Sequence, residues 1–110
     1  MDIDTITREE LKAKIDRGDD FKLVMALTEW AFRAMRIPGS IRFESIDDAL
    51  AGLDPSDDIV VYCSDEACVG SQYAYRGLKE HGYQNVRRYA GGLSDWLDAG
   101  YPMEGEQAPG

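Results

Sequence analysis

The chain has 110 residues, 44% of them hydrophobic, and its 21 acidic and 12 basic side chains give a formal net charge of −9. This length allows one domain with a core of its own. The acidity argues against direct nucleic-acid binding, which relies on lysine and arginine. No apolar stretch approaches the roughly 20 residues that a membrane span needs, and residues 1–4 lack the basic and apolar parts of a secretory signal. We therefore expect a cytoplasmic protein that binds neither membrane nor nucleic acid.

The first half of the chain predicts helices that alternate with extended segments. Thr7-x-x-Glu10 is a capping box, in which each side chain satisfies a free backbone N–H at the start of a helix. That helix turns Leu11 and Ile15 toward the core and ends at Gly18. The elements expected next are a strand over 22–27, a short helix capped by Thr28, a turn at Pro38 and Gly39 with an extended piece over 40–43, and a helix from Ser45 through Leu53.

The second half predicts two strands, each followed by a helix. The β-branched run over 59–62 follows a turn at 54–57, which is typical of a buried central strand. The elements expected after it are a loop over 64–70, a helix closed by Gly82, a strand over 85–89, a flexible turn at Gly91 and Gly92, and a helix over 93–99 with Trp96 facing inward. This alternation predicts an α/β fold, with a mostly parallel sheet flanked by helices on both faces. We expect one domain over 1–110, with its core at about 7–104 and a flexible tail over 105–110.

Cys63 directly follows the central strand and precedes a loop and a helix. Sites in parallel sheets lie at the carboxyl ends of strands, and the start of a helix stabilises a thiolate. This placement predicts a reactive thiol. The alternative, from the residues alone, is that Cys63 is a small buried apolar side chain.

Cys68 is the second of the two cysteines. Two cysteines are too few for a disulfide scaffold and fit a redox, persulfide or buried-thiol role better. Zinc binding fits poorly, because a single histidine, His81, follows the pair, and its place near a helix C-terminus has a simpler explanation. We predict no metal and no cofactor.

Three segments resemble the rhodanese-like (sulfurtransferase) domain family, and the resemblance runs from about Thr7 to Glu104. They are Ile37-Pro38-Gly39-Ser40-Ile41, the strand Val60-Val61-Tyr62 with Cys63 at its end, and Gly91-Gly92 followed by Trp96. The resemblance implies a rhodanese-like fold. It also implies that Cys63 is an active-site cysteine that carries sulfane sulfur as a persulfide.

The chain departs from the family pattern in three places. Met25-Ala26-Leu27 stands where the family commonly has Asp-x-Arg, and Arg36 stands where a histidine often precedes Ile-Pro-Gly. The loop after Cys63 is longer than in typical single-domain members and holds the second cysteine. These departures leave the sulfur donor and the role of Cys68 open.

The loop after Cys63 is expected to surround the reacting sulfur. Sulfur transfer needs a thiolate that attacks a donor and amide hydrogens that stabilise the resulting persulfide anion. We expect Cys63 and Cys68 to be catalytic, and the rest of the loop to contact substrate: Ser64, Asp65, Glu66, Ala67, Val69, Gly70 and Ser71. Ser71 is also predicted to cap the following helix.

The charges of the loop bear on the donor. Asp65 and Glu66 should repel small anions and oppose ionisation of the thiol. This predicts weak activity with thiosulfate and a persulfide as the better donor; the alternative is that both carboxylates are only solvated surface charges. No arginine lies between Cys63 and Ser71, which argues against phosphatase or arsenate reductase chemistry.

Several hypotheses about function remain open beside persulfide transfer. Cys68 can resolve a persulfide or sulfenate on Cys63 by forming a disulfide, it can be the nucleophile itself, or it can fill space beneath the loop. A non-catalytic binding domain is a further alternative, because the Asp-x-Arg pair is absent. Persulfide transfer, the favoured hypothesis, requires a sulfur donor and a thiol acceptor as partners, each a small molecule or a protein. It leaves the oligomeric state open.

Overall fold

Four parallel strands form the centre of the computed structural model, which describes residues 3–108. In chain order the elements are α1 (Arg8–Arg17), β1 (Lys22–Met25), α2 (Glu29–Ala34), β2 (Ser40–Ile41), α3 (Ile46–Gly52), β3 (Ile59–Tyr62), α4 (Gly70–Glu80), β4 (Val86–Tyr89) and α5 (Gly92–Asp98). The strand order β2-β1-β3-β4 places β3 inside the sheet, as predicted. Helix α4 has 11 residues, and no helix in the described part of the chain is long and apolar enough to cross a membrane.

Side-chain caps fix the starts of the first three helices. Thr7 Oγ1 accepts a hydrogen bond from the Glu10 N–H, and the Glu10 carboxylate accepts one from the Thr7 N–H, both at 3.1 Å. Thr28 and Ser45 each accept from the N–H three residues further on. Gly18 ends α1 at a φ of +70°, where any other residue would be strained. These predictions are confirmed.

Two strands are shorter than the sequence predicts. The strand predicted over 22–27 ends at Met25, and the piece predicted over 40–43 is a strand only over Ser40–Ile41. Ala26 still donates a backbone hydrogen bond to Tyr62 O at 2.8 Å. The chain then leaves the sheet, because it has to reach Thr28, the N-cap of α2.

The sheet separates two hydrophobic cores. Side chains alternate along a strand, so Val60 of β3 lies in one core and its neighbour Val61 in the other. Trp96 of α5 lies in the first core and Tyr75 of α4 in the second, each almost fully buried. Helices therefore cover both faces, which confirms the predicted α/β fold and the inward position of Trp96.

The N-terminal segment covers the outer edge of β4. The Arg88 N–H donates to Asp4 O at 2.8 Å, and the Ile6 N–H donates to Arg88 O at 3.1 Å. On its other side β4 pairs with β3, with Arg88 in register with Val61. Backbone hydrogen bonds on both sides therefore hold the Arg88 position in place.

The segment after Glu104 packs against α2 and the residues that follow that helix. The N–H groups of Arg36 and Glu104 each donate to the other residue's carbonyl oxygen at 2.8 Å. Two further N–H groups of the segment donate to backbone carbonyls of α2, at 2.9 and 2.8 Å. The flexible tail over 105–110 stays a prediction; the backbone of residues 106 and 107 forms hydrogen bonds with α2 that local composition does not indicate. Residues 109 and 110 lie outside the described residues.

Tyr62 ties the end of β3 to the segment around Pro38. Its hydroxyl accepts a hydrogen bond from the Ile37 N–H at 3.1 Å and shares another with Ser40 Oγ at 2.6 Å. Burial raises the pKa of Tyr62 to about 12. Because Tyr62 directly precedes Cys63, these bonds also fix the end of the strand beside the candidate site.

Replacing Tyr62 by phenylalanine should change how stability depends on alkaline pH. Between about pH 10 and 12 the folded phenol stays protonated while the unfolded one ionises. The free energy of unfolding should therefore fall by about 1.4 kcal/mol per pH unit for this group as pH rises. Tyr62→Phe should be less stable at pH 7 by about 1 kcal/mol from the lost hydrogen bonds, and should lose that part of the slope.

Urea unfolding at several pH values from 8 to 12 measures this effect. Tyr73→Phe is the matched control, because the Tyr73 ring is 66% exposed. Parallel stability curves for wild type and Tyr62→Phe across this range would contradict the prediction.

Candidate active site

Cys63 lies at the carboxyl end of β3, as predicted, and its sulfur is bonded to the sulfur of Cys68. The two Cα atoms are 6.3 Å apart, a normal separation for a disulfide. Cys63 is 1% exposed, whereas Cys68 is partly exposed. The structure thus brings the two predicted cysteines together, with one buried and the other nearer to solvent.

Asp65 folds the loop between the cysteines into a turn. Its Oδ1 accepts hydrogen bonds from the N–H groups of Ala67 and Cys68, at 3.0 and 3.1 Å. Its backbone carbonyl also accepts from the Cys68 N–H, at 3.2 Å. Asp65 is therefore more than a solvated charge, and in this disulfide form it occupies two amides that were expected to bind a persulfide anion.

Arg88 of β4 holds the same loop from the sheet. It is 6% exposed. Its Nη2 donates to Glu66 O at 3.1 Å and to Cys68 O at 3.3 Å, and its Nε donates to Ser71 Oγ at 2.8 Å. The sequence analysis missed Arg88 because strand pairing alone brings it beside the loop. The signal available was an arginine inside an otherwise buried strand.

Ser71 lies inside the first turn of α4 and does not cap it. The N-cap residue is Val69, which makes no side-chain cap hydrogen bond. The Ser71 side chain is buried and accepts from Arg88. The prediction that Ser71 caps this helix is wrong, because α4 already begins at Gly70.

The other loop residues predicted to contact substrate differ in exposure. The exposed ones are Asp65, Glu66, Ala67 and Val69, and the partly exposed ones are Ser64 and Gly70. The Val69 side chain is 54% exposed. Their contacts with substrate stay a prediction.

Gly70 allows α4 to begin against the end of β1. A Cβ there would lie 2.7 Å from Ala26 O and 3.7 Å from Cys68 Sγ. Ala26 stands in the segment where the resembled family commonly has Asp-x-Arg. An arginine still reaches this corner, because Arg42 Nε donates to Leu27 O at 2.7 Å.

The start of α5 holds the backbone of Cys63 and Ser64. The Leu93 N–H donates to Cys63 O at 3.0 Å, and the Ser94 N–H donates to Ser64 O at 2.9 Å. Gly92 has a φ of +63°, and a Cβ on it would lie 2.4 Å from Cys63 O. The prediction of a flexible Gly-Gly turn is therefore wrong, because the close approach to Cys63 packs Gly92 tightly.

Tyr89 and Asp95 join β4 to α5 beside this contact. The Tyr89 hydroxyl donates to Asp95 Oδ2 at 2.5 Å, and Arg8 Nη1 donates to Asp95 Oδ1 at 3.1 Å. Burial raises the pKa of Tyr89, and its hydrogen bond to the Asp95 carboxylate raises it further. The phenol therefore stays protonated at neutral pH and fixes α5 relative to the sheet.

An apolar cavity of about 400 Å³ lies between α3 and α4. Its lining includes Ile46, Ala49 and Tyr73, and none of the loop residues 63–71, all of which are described, contributes to it. The cysteine pair therefore lies outside this cavity, at the carboxyl ends of the strands.

Residues 7–99 match the model of a protein family described as the rhodanese-like domain. The chain belongs to the rhodanese-like family. Several solved structures superpose on the chain over most of its length. A crystal structure of the BH2092 protein from Bacillus halodurans superposes with a TM-score of 0.88 at 22% identity, covering 96% of this chain and 79% of that one. No curated protein matches the sequence.

Two further structures agree with this assignment of the fold. The Alr3790 protein from Anabaena superposes with a TM-score of 0.81 at 26% identity, with 91% of each chain covered. A protein described as a human single-domain sulfurtransferase, TSTD1, superposes with a TM-score of 0.71 at 22% identity, covering 88% of this chain and 97% of that one. The predicted rhodanese-like fold is thus confirmed.

Replacing Gly92 by alanine should disrupt the rhodanese-like site at the Cys63 carbonyl. The new methyl group would both strain a positive φ and collide with Cys63 O. We expect a loss of unfolding free energy of about 3 kcal/mol, with slower formation of the Cys63–Cys68 disulfide. Denaturant unfolding and the rate of disulfide closure after reduction measure the two effects.

Gly100→Ala is the matched control for the backbone strain alone. Gly100 has a φ of +73°, and within the described residues a Cβ there would contact nothing within 4 Å beyond its chain neighbours. It should cost about 1 kcal/mol and leave disulfide closure unchanged. Equal losses for the two variants would show that the contact with Cys63 O carries no energy of its own.

An attacking thiol should form its mixed disulfide at Cys68. Access decides which sulfur of a disulfide is attacked, and Cys68 is partly exposed whereas Cys63 is 1% exposed. Brief treatment with reduced glutathione, followed by alkylation and peptide mass analysis, should place glutathione mainly on Cys68 and the alkyl group on Cys63. The reverse distribution would show that Cys63 is the accessible sulfur.

Proposed function

We propose that this protein is a sulfurtransferase that accepts sulfane sulfur on Cys63 as a persulfide and passes it to a thiol acceptor. The observation that carries the proposal is the position of Cys63 at the carboxyl end of the central strand, with its carbonyl held by the start of α5. Membership of the rhodanese-like family supports it. The human relative of the same fold, described as a single-domain sulfurtransferase, is consistent with it.

The proposed reaction has two substitutions at sulfur. The Cys63 thiolate attacks the outer sulfur of a persulfide donor, the S–S bond of the donor breaks, and the donor leaves as a thiolate. An acceptor thiolate then attacks the outer sulfur of the Cys63 persulfide and releases Cys63 as a thiolate again. One sulfur atom moves, and no net oxidation or reduction occurs.

The charges around the loop favour a persulfide over thiosulfate as the donor. Asp65 and Glu66 are exposed in the loop itself, and the whole chain carries a formal charge of −9. The two loop carboxylates and the net negative charge of the chain repel a small dianion. Salt screens this repulsion at the surface. The donor of this proposal is therefore a protein persulfide or a small-molecule persulfide.

The Cys63–Cys68 disulfide favours a second candidate function, a dithiol–disulfide redox module. In it the Cys68 thiolate attacks Sγ of the Cys63 persulfide, the bond to the outer sulfur breaks, and hydrosulfide leaves. The chain is left as the disulfide found here. A dithiol reductant then supplies two electrons and restores both thiols, so that sulfane sulfur is reduced to sulfide.

Intact-mass measurement of the reduced protein with glutathione persulfide tests these functions. In the proposed transfer, wild type and Cys68→Ser gain one sulfur atom and lose it to added thiol, and Cys63→Ser gains none. Cys68→Ser is the matched control, because it removes a thiol from the same loop and keeps Cys63. Gain of sulfur by Cys63→Ser alone would show that Cys68 is the nucleophile.

The fate of the sulfur distinguishes the second candidate. If Cys68 resolves the persulfide, wild type releases sulfide without added thiol and loses two hydrogens, while Cys68→Ser retains the sulfur. If no variant gains sulfur, both candidates fail and the chain is a non-catalytic rhodanese-like binding domain. Turnover of thiosulfate and cyanide as fast as with the persulfide would contradict the proposed donor.

A further inference from the structure

Arg88 is a buried cation with no acidic ion-pair partner among residues 3–108. No carboxylate of residues 3–108 lies within 4 Å of its guanidinium nitrogens as an ion pair, although the residue is only 6% exposed. Its partners are neutral: the carbonyl oxygens of Glu66 and Cys68 and the hydroxyl of Ser71. A buried charge is costly unless an opposite charge or strong hydrogen bonds compensate it, so the environment of Arg88 would be completed by an anion.

The cysteine pair is the place where such an anion forms. Arg88 Nη2 donates to the carbonyl oxygen of Cys68 at 3.3 Å, so the guanidinium contacts the residue that carries the more exposed sulfur. That sulfur is bonded to Cys63 Sγ. Reduction of the disulfide, or a persulfide on Cys63, creates a new negative charge on these sulfurs.

The neighbouring Arg87 shows that this arrangement is specific to one face of β4. Arg87 is partly exposed, and its Nη2 lies 3.6 Å from Asp58 Oδ1, an ordinary ion pair near the surface. Side chains alternate along a strand, so Arg88 is directed to the opposite face, where Ser71 and the loop lie. The two arginines have the same charge and adjacent positions but different surroundings.

We propose that Arg88 is the cation of this site, a positioning residue that holds the loop through Glu66, Cys68 and Ser71 and whose charge favours the thiolate and persulfide anions of the cysteine pair. The persulfide part rests on the proposed function, and the thiolate part does not. The loop itself contains no arginine and carries Asp65 and Glu66. Arg88 therefore supplies from the sheet the positive charge that the loop lacks.

Two consequences follow for the chemistry of the pair. A nearby opposite charge favours the ionised form of a thiol, so removing the Arg88 charge should raise the pH at which the thiols become reactive. Stabilising the thiolates also stabilises the reduced form, which makes a disulfide a better oxidant. Without Arg88 the disulfide should therefore be harder to reduce.

The test is the rate of iodoacetamide alkylation of the reduced protein against pH, with each cysteine followed by peptide mass. Arg88→Met keeps much of the apolar stem and removes the charge. At pH 7 the more reactive cysteine of this variant should react about tenfold more slowly, since one pKa unit is a tenfold change in thiolate fraction. The equilibrium with glutathione should shift toward the disulfide by a similar factor.

Arg87→Met is the matched control, with the same change of charge one residue away on the other face. It should alter the alkylation rate less than twofold, because its charge is already paired near the surface. A folded Arg88→Met protein with the alkylation profile of wild type would overturn the proposal.

Arg88→Lys keeps the proposal testable if Arg88→Met does not fold. Lysine retains the charge but cannot bridge two carbonyls and a hydroxyl as the guanidinium does. For Arg88→Lys, the pH at the midpoint of the alkylation profile should stay near that of wild type. Closure of the disulfide should slow about tenfold. If the pH midpoint of Arg88→Lys shifts as far as expected for Arg88→Met, the role of charge is overturned. If the rate of disulfide closure is unchanged, the positioning role is overturned. Neither assay uses a sulfane donor, so failure of the proposed sulfur transfer is seen separately, by intact mass.

Discussion

The hydrogen bond from the Leu93 N–H to Cys63 O joins the two ends of the candidate site, the central strand and the last helix. Gly92 makes this approach possible, because any side chain there would collide with the Cys63 carbonyl. The same contact directs the chain out of β3 and into the loop that carries Cys68. The position of both cysteines therefore depends on one close backbone approach between segments that are distant in the sequence.

Two opposite charges shape the loop from different sides. Asp65 organises it from within, by accepting the amides of Ala67 and Cys68, whereas Arg88 holds its carbonyl oxygens from the sheet. The acidic group is exposed and screened by water, and the cation is buried in a medium where its field is less screened. The buried charge of Arg88 can therefore favour an anion at sulfur even though the loop carries acidic side chains.

The two bonded cysteines differ in their access to solvent, because Cys63 ends a buried strand and Cys68 lies in the loop. Cys63 is closed off by the sheet and α5, while Cys68 lies nearer to the surface. This asymmetry leaves Cys68 accessible to an incoming thiol and shields Cys63 from water. The proposed transfer needs Cys63 alone, whereas the proposed release of sulfide needs both cysteines.

Local signals in the sequence determined the helix starts at Thr7, Thr28 and Ser45, the buried strand over 59–62, and Cys63 at its carboxyl end. Each depends on residues within a few positions of one another, because caps and alternation are short-range effects. Only the tertiary structure decided that Arg88 holds the loop, that Gly92 packs on Cys63, that Ser71 faces the sheet and that residues 106 and 107 form hydrogen bonds with α2. These contacts join residues that parallel strand pairing brings together from distant parts of the chain, and no local pattern records which partners the sheet will supply.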